Sequence, residues 1–276
     1  MTIINDTTIV VFTYAELKSV LESDNTYTYI YFGANIYLEG GIKIASTKTT
    51  LTIDGTYEGI TYTYEDNKSL SASNTIYVNN ANNQNITVKN LNVTGNNYYG
   101  IIYVPEATTY NNVTTSYDNI TYVGPQMIFN PNGTTIITNS NITVGDSSLV
   151  TGNEVAECNK LKLGGNTTIL HKSASNSPFW FRNDTPTLTI LENANVTFTS
   201  ENRELFYGTN NLTFNILENA TFKVTTKTTL GYNNFGTGIT TINKNASFIF
   251  TTTANNGTYA LWYSYNKINT LEKSTL

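Results

Sequence analysis

The sequence predicts an all-β chain: a right-handed, single-stranded parallel β-helix with three faces and a short N-terminal capping helix. Three observations carry this. One phrase recurs at a constant step of 26: Ile190-Leu191-Glu192-Asn193-Ala194, Ile216-Leu217-Glu218-Asn219-Ala220 and Ile242-Asn243-Lys244-Asn245-Ala246. A fixed step of about 20–50 residues marks an architecture in which each unit packs only on its neighbours. Within each unit apolar residues alternate. Val196 and Phe198 flank Thr197, Phe222 and Val224 flank Lys223, and Phe248 and Phe250 flank Ile249. That period of two is a strand with one buried face. Finally, no helical periodicity lies between these strands, and a leucine-rich phrase is missing, so the unit is short strands joined by Asn/Gly/Thr turns.

Parallel strands from successive coils lie about 4.7–4.9 Å apart, so like residues stack on like. Ile and Phe columns fill a narrow core, each buried side chain contributing roughly 1.5–3 kcal/mol. The Asn193, Asn219 and Asn245 column is expected at a corner, where amides bond along the stack.

Residues 2–11 read as a first strand. Thr13-Tyr14-Ala15-Glu16 then fits a capping box, and Leu17, Val20 and Leu21 follow at helical spacing, giving a helix over about 14–22. An open stack exposes unpaired strand edges, so this helix is assigned as the lid on the first coil. Strands follow at 29–32, 36–38, 42–44 and 51–55; residues 56–70 read as a projecting loop. Further strands fall at 76–78, 86–88, 91–93, 101–104, 127–129, 136–137 and 142–144, with insertions near 145–160. Aromatic blocks keep step. Tyr77 to Tyr103 is again 26, Tyr103 to Ile128 is one less, and Trp180, Phe206 and Tyr232 repeat the full step. A later block is Leu261-Trp262-Tyr263. No linker composition appears, so residues 1–276 are expected to form one elongated domain, with coils over about 28–265. Eight or nine coils would give about 40 Å of stack.

The composition agrees. Charged residues make up 13% of the 276, tyrosine reaches 20, and net charge is −5. Low charge with abundant Thr, Tyr, Ile and Val is a β composition and not a disordered one. No basic patch favours nucleic acid or an anionic membrane surface, and no apolar run of about 18 residues spans a bilayer. The single cysteine, Cys158, forms no intrachain disulfide or zinc set and reads as a small buried residue. The chain begins at Met1 without a leader pattern and ends at Leu276 without an anchor pattern, so it is expected to be a piece of a larger exported protein.

The order of elements carries a resemblance. The capped helix Phe12-Thr13-Tyr14-Ala15-Glu16-Leu17 leads to Ile30-Tyr31-Phe32, then Leu51-Thr52-Ile53-Asp54-Gly55, Asn85-Ile86-Thr87-Val88-Lys89-Asn90-Leu91-Asn92-Val93, and the repeated Leu191-Glu192-Asn193-Ala194. This resembles the pectate-lyase-like adhesive domains of bacterial surface proteins and the Asn/Thr-rich adhesin-like β-helix proteins of methanogenic archaea. The resemblance implies a pectin-lyase-like solenoid outside the cell, a stalk or adhesive module attached to the cell wall through regions beyond this piece. Its expected partners are glycans or proteins of a host surface or cell wall, with flanking domains in the same polypeptide.

Enzymes of this fold need clustered carboxylates. The seven aspartates, at 6, 24, 54, 66, 118, 146 and 184, come no closer to one another than Asp54 and Asp66, and no two are separated by the step of 26. The Asn-Thr-Asp, Asp-Asp, Gly-His-Gly and Arg-Ile-Lys phrases of polygalacturonase-like enzymes are missing. His171, the one histidine, reads as a core or corner residue, Gly164-Gly165 as a turn, and the Asn-x-Ser/Thr triplets as coil chemistry. No catalytic residue, metal site or cofactor is therefore expected. The alternative remains a polysaccharide-binding module or a lyase- or hydrolase-type β-helix enzyme.

Two features are candidates for contact with a ligand. Arg182 and Arg203 fall among Glu154, Glu157, Asp184, Glu201 and Glu204, and Glu157 precedes Arg182 by close to one coil. Tyrosines come in close sets: Tyr98-Tyr99, Tyr62 with Tyr64, Tyr27 with Tyr29 and Tyr31, and Tyr263 with Tyr265. Alternation turns some of these rings outward, where they suit stacking on sugars or anchoring a protein. Arg182, Arg203, Glu157, Asp184, Glu204, Tyr98 and Tyr99 are the expected binding residues.

Overall fold

The structure, a computed structural model, describes residues 1–68, 71–79, 84–145, 153–182, 185–208, 211–232, 238–253 and 267–276. It is a parallel β-solenoid of about eight turns. The strand pairings sort into three faces. The first runs from Thr8–Val11 through Tyr29–Phe32 and Thr50–Asp54 to Thr187–Ile190, Thr213–Ile216, Ile239–Ile242 and Lys267–Thr270. The second includes Thr63–Glu65, Asn141–Val144, Asn166–His171, Asn195–Ser200, Thr221–Thr226 and Ser247–Thr252. The third, of shorter strands, includes Ile42–Lys43, Ile76–Tyr77, Ile102–Tyr103, Phe179–Phe181, Phe206–Gly208 and Gly231–Tyr232. Ile190 pairs with Ile216 and Ile216 with Ile242, so the recurring phrase stacks as expected.

Alternation determines what is buried. Val196, Phe198, Phe222, Val224 and Phe248 point inward, while Lys223 and Ile249 lie exposed between them. Phe222 stacks on Phe248 with ring centroids 5.8 Å apart and planes 15° from parallel, and Phe214 meets both rings edge-on. His171 is also inward: its Nε2 lies 2.8 Å from the Asn153 carbonyl oxygen, a partner that lets it stay in the core. Cys158 is buried, and burial pushes its thiol pKa far up.

The corner between the first and second faces needs left-handed backbone. Asn90, Asn119, Asn139, Gly165, Asn193, Asn219, Asn245 and Lys273 all have φ between 51° and 59°. Glycine adopts this region freely, and asparagine tolerates it better than most other residues. The amides also form a ladder: Asn219 Nδ2 donates to Asn193 Oδ1 at 3.3 Å, and Asn245 Nδ2 to Asn219 Oδ1 at 3.2 Å. Both causes can be separated. Asn219→Ala is expected to lose about 1–2 kcal/mol in denaturant unfolding, because it meets the left-handed strain as well as the lost amides. Asn219→Gly, which removes only the ladder, should lose less than the alanine variant.

The N-terminus differs from the expectation in one respect. Residues 2–11 are not one strand but an antiparallel hairpin, Thr2–Asn5 against Thr8–Val11, and only the latter joins the first face. The helix follows at Tyr14–Glu22, with Leu17, Val20 and Leu21 buried. Thr13 Oγ1 accepts from the Glu16 amide at 3.2 Å, and Glu16 reaches back one residue beyond the cap, to the Phe12 amide at 2.8 Å. The segment 56–70, expected as a loop, forms a hairpin of Thr56–Tyr57 and Ile60–Thr61, and then returns to the second face at Thr63–Glu65. Among the described residues no helix is long and apolar enough to cross a membrane. The Leu261-Trp262-Tyr263 block, Tyr265 and part of the expected insertion near 145–160 lie outside the described residues.

Candidate binding face and cleft

The outward side of the third face carries the site. Strand register puts one residue per coil in a single file: Tyr77, Tyr103, Phe129, Glu157, Trp180 and Tyr207. All but Glu157 are aromatic. The loop after Thr94 folds Tyr98 and Tyr99 over this file. Tyr98 lies 5.8 Å, Tyr99 5.6 Å and Tyr103 5.3 Å from Phe129, centroid to centroid, which leaves Phe129 only 5% exposed. The cluster is therefore a packed aromatic plate.

Glu157 interrupts the file and is fully buried. It survives there because it is surrounded by donors. Tyr98 donates its hydroxyl to Oε1, Gln126 Nε2 donates to the same oxygen at 3.5 Å, and Arg182 Nη1 donates to Oε2 at 3.0 Å. Burial raises its pKa, while Tyr98 and Arg182 pull it back down. Arg182 also pairs with the exposed carboxylate of Glu106, and its guanidinium lies 4.5 Å from the Trp180 ring centroid. Planar stacking of this kind suits arginine better than lysine.

Beside Trp180 lies a cleft of about 240 Å³. Its lining includes Glu154, Asn176, Ser177, Trp180, Arg203 and Tyr207. Trp180 and Tyr207 stand nearly perpendicular, at 84°, with centroids 5.8 Å apart. Arg203 Nη2 donates to Glu204 Oε1 at 3.1 Å, and Ser177 donates its hydroxyl to that same oxygen. Glu154 is 1% exposed; its Oε1 accepts from Asn176 Nδ2. Burial, with the Glu157 charge nearby, pushes the Glu154 carboxyl up to about 7.

The structure thus brings Glu157, Arg182 and Tyr98 into direct contact, sets Tyr99 beside Tyr98, and places Arg203, paired with Glu204, in the lining of the cleft beside Trp180. Asp184 lies outside the described residues. The remaining tyrosine sets divide by alternation. Tyr64 is buried in the core, whereas Tyr29 and Tyr31 turn outward, 4.8 Å apart, away from this face. Among the described residues no group of three His, Cys, Asp or Glu side chains is placed to hold a metal.

Three alignments made on spacing alone are corrected by the pairing. Trp180 pairs with Tyr207, not with Phe206; Tyr232 pairs with Tyr207, not with Phe206; and Tyr103 pairs with Phe129, not with Ile128. A slip of one residue exchanges faces: Phe206 and Ile128 are core residues. Tyr207, Phe129 and Trp180 were missed as site residues for that reason, although Trp180 and the tyrosines were visible as aromatic blocks.

Residues 8–129 match the family described as "putative pectate lyase-like adhesive domain". That stretch holds the capping helix and the aromatic plate; the cleft lies beyond it. Two solved structures are similar along nearly the whole chain, both serine-rich repeat proteins (SRRP) of Lactobacillus reuteri. That of strain 100-23 has a TM-score of 0.67 at 17% identity, covering 99% of this chain and 96% of its own. That of strain 53608 has a TM-score of 0.60 at 18% identity, covering 96% and 98%. At such identities the likeness is one of fold. No curated protein matches the sequence.

Proposed function

We propose that this chain is a non-catalytic, cell-surface adhesion module that contacts glycans or surface proteins through the outward aromatic file of its third face. The adhesive-domain match over residues 8–129 supports the class. The observation that carries the contact face is the register that sets Tyr77, Tyr103, Trp180 and Tyr207 on one outward side of a rigid ladder, with Phe129 packed beneath Tyr98 and Tyr99 between them. Neighbouring strands lie about 4.7–4.9 Å apart, so the file offers rings at the scale of an extended polymer chain. Aromatic rings give large contact area at low entropic cost, which suits recognition of sugar faces or protein side chains. Glu157 acts in this reading as the anchor that fixes Arg182, Tyr98 and Trp180, and not as an acid or base. Cell-wall attachment and flanking domains would belong to other parts of the polypeptide.

The test is a screen of the purified chain against mucin, plant polysaccharides and cell-wall glycans, read both as retention and as release of reducing or unsaturated ends. Saturable retention without bond cleavage, weakened by Tyr103→Ala with Tyr207→Ala, is the expected result. Cleavage of any polymer would overturn the non-catalytic reading, and retention unaffected by the double variant would remove the contact face.

A further inference from the structure

The middle of the contact face is presented by a loop and not by a strand. Residues 95–99 leave the second face after Thr94 and lay Tyr98 and Tyr99 over Phe129. Both rings are half-buried, so they form the surface where Phe129 is covered. Such a loop has no ladder of its own, and its amides must find partners elsewhere. The Gly95 amide donates to the Val123 carbonyl at 2.8 Å, and the Tyr99 amide to Asn97 Oδ1 at 2.7 Å. The Asn96 amide donates to Asp66 Oδ1, and the Asn97 amide faces the same carboxyl. We infer that Asp66 is a positioning residue for the contact face: from the preceding coil, its carboxyl fixes the loop that presents Tyr98 and Tyr99. The inference rests on the adhesion reading and names the group that sets part of its surface.

Strand register puts Asp66 at the base of the loop. Glu65 pairs with Thr94, and the Asp66 amide donates to the Thr94 carbonyl at 3.1 Å. Alternation turns Tyr64 and Asp66 inward and leaves Glu65 half-buried between them. Asp66 is 1% exposed, so a ligand on the surface does not touch it. A carboxyl is costly in such a place unless donors meet it, and here the donors are the loop's own amides. Burial pushes its pKa up to about 8, while the Asn96 and Asn97 amides pull it back down. The Asn96 side chain is held from the same side: its Nδ2 donates to the Asp66 carbonyl at 3.1 Å and to Glu65 Oε1 at 3.3 Å. Glycines close both ends of the loop. A Cβ on Gly95 would lie 2.1 Å from the Tyr122 hydroxyl, and Gly100, with φ of 72°, would set one 2.4 Å from the Met127 carbonyl oxygen.

Asp66 and Glu157 hold the loop in different ways. Glu157 takes the hydroxyl of one ring, so its grip ends with Tyr98 alone. Asp66 takes main-chain amides, so its loss frees Asn96, Asn97 and both tyrosines together.

The experiment compares Asp66→Leu, which fills a similar volume without an acceptor, with Asp66→Asn, which keeps one. Hydrogen exchange is read along the chain, and retention is measured on the mucin, plant-polysaccharide and cell-wall surfaces of the screen. Asp66→Leu is expected to raise exchange at Asn96 and Asn97 by at least roughly tenfold while the strands Asn85–Thr94 and Thr114–Gly124 stay protected. It should also weaken retention by roughly tenfold. Asp66→Asn should stay within about threefold of wild type in both measurements. Tyr98→Ala with Tyr99→Ala should weaken retention, and adding Asp66→Leu to that pair should weaken it no further, because the carboxyl acts through those rings. Unchanged loop exchange in Asp66→Leu would overturn the inference, as would exchange that rises equally in the strands, which marks a general loss of stability. Asp66→Asn behaving as Asp66→Leu, or a further loss in the triple variant, would overturn it too. The adhesion reading fails separately: wild-type chain retained on no surface sinks adhesion and the contact role of Asp66 with it, whereas wild type and Asp66→Leu retained alike sinks only the inference.

Discussion

Arg182→Ala is expected to destabilise the chain by about 3 kcal/mol at neutral pH, because it leaves a charge in the interior without its partner. Glu157 is fully buried, and its Oε2 is held by Arg182 at 3.0 Å. Removing the cation leaves the Tyr98 and Gln126 donors, which satisfy one oxygen but supply no charge. The loss should depend on pH in a set direction. The Glu157 pKa is already raised by burial, and without Arg182 it rises further. A carboxyl with a folded pKa above its unfolded value loses stability as pH climbs through the folded pKa, and regains it below the unfolded pKa. The deficit should therefore be largest above neutrality and shrink toward pH 4. Glu157→Gln in the same background should recover much of the loss, since the amide carries no charge to bury. Urea unfolding of the four-member cycle at two pH values measures this directly. A deficit that is flat with pH would show that Arg182 acts only by packing on Trp180.

Phe222→Ala should cost about 3–5 kcal/mol, the range for deleting a buried aromatic ring. Phe222 is fully buried and touches Phe214 and Phe248, the latter its equivalent on the next coil. In a solenoid each coil is held only by its neighbours, so the cavity should loosen the stack locally instead of uniformly. Hydrogen exchange is expected to rise first in residues 213–226 and 239–252, while the first coils stay protected. Lys223→Ala, one residue on and exposed, should stay within about 0.5 kcal/mol of wild type. Uniform exchange across the chain in Phe222→Ala would mean that the coils are coupled more widely than nearest neighbours.

The contrast between Phe222 and the third face explains what was legible in the sequence. On the second face the strands Asn195–Ser200, Thr221–Thr226 and Ser247–Thr252 repeat at a constant step, so inside and outside could be read from spacing alone. The corner was equally visible from Asn193, Asn219 and Asn245, because a left-handed position favours Asn or Gly; Lys273 is the exception among the described corner residues. On the third face the coil length drifts. The step from Phe129 to Glu157 is longer than the constant one, and the step from Glu157 to Trp180 is shorter. Loops between faces absorb these changes while the strands keep register. A period-two strand turns a one-residue drift into the wrong face, which is how Phe206 stood in for Tyr207.

The contact between Glu157 and Arg182 was readable, since about one coil separates them. The cleft was not. Its lining comes from strands and loops of different coils, whose closeness no spacing records. Glu154 was visible as one more charge near two arginines; its burial came from the fold.

The central claim is that the outward file around Trp180 is where the module meets its ligand. The chain has two tryptophans, so nitrogen-15 labelling gives two indole signals, and Trp180→Phe assigns one of them. Titrating the labelled chain with whichever surface glycan or glycoprotein retains it should move the Trp180 signal saturably, with the same midpoint as retention. A ligand that binds tightly while the Trp180 signal stays in place would contradict the account.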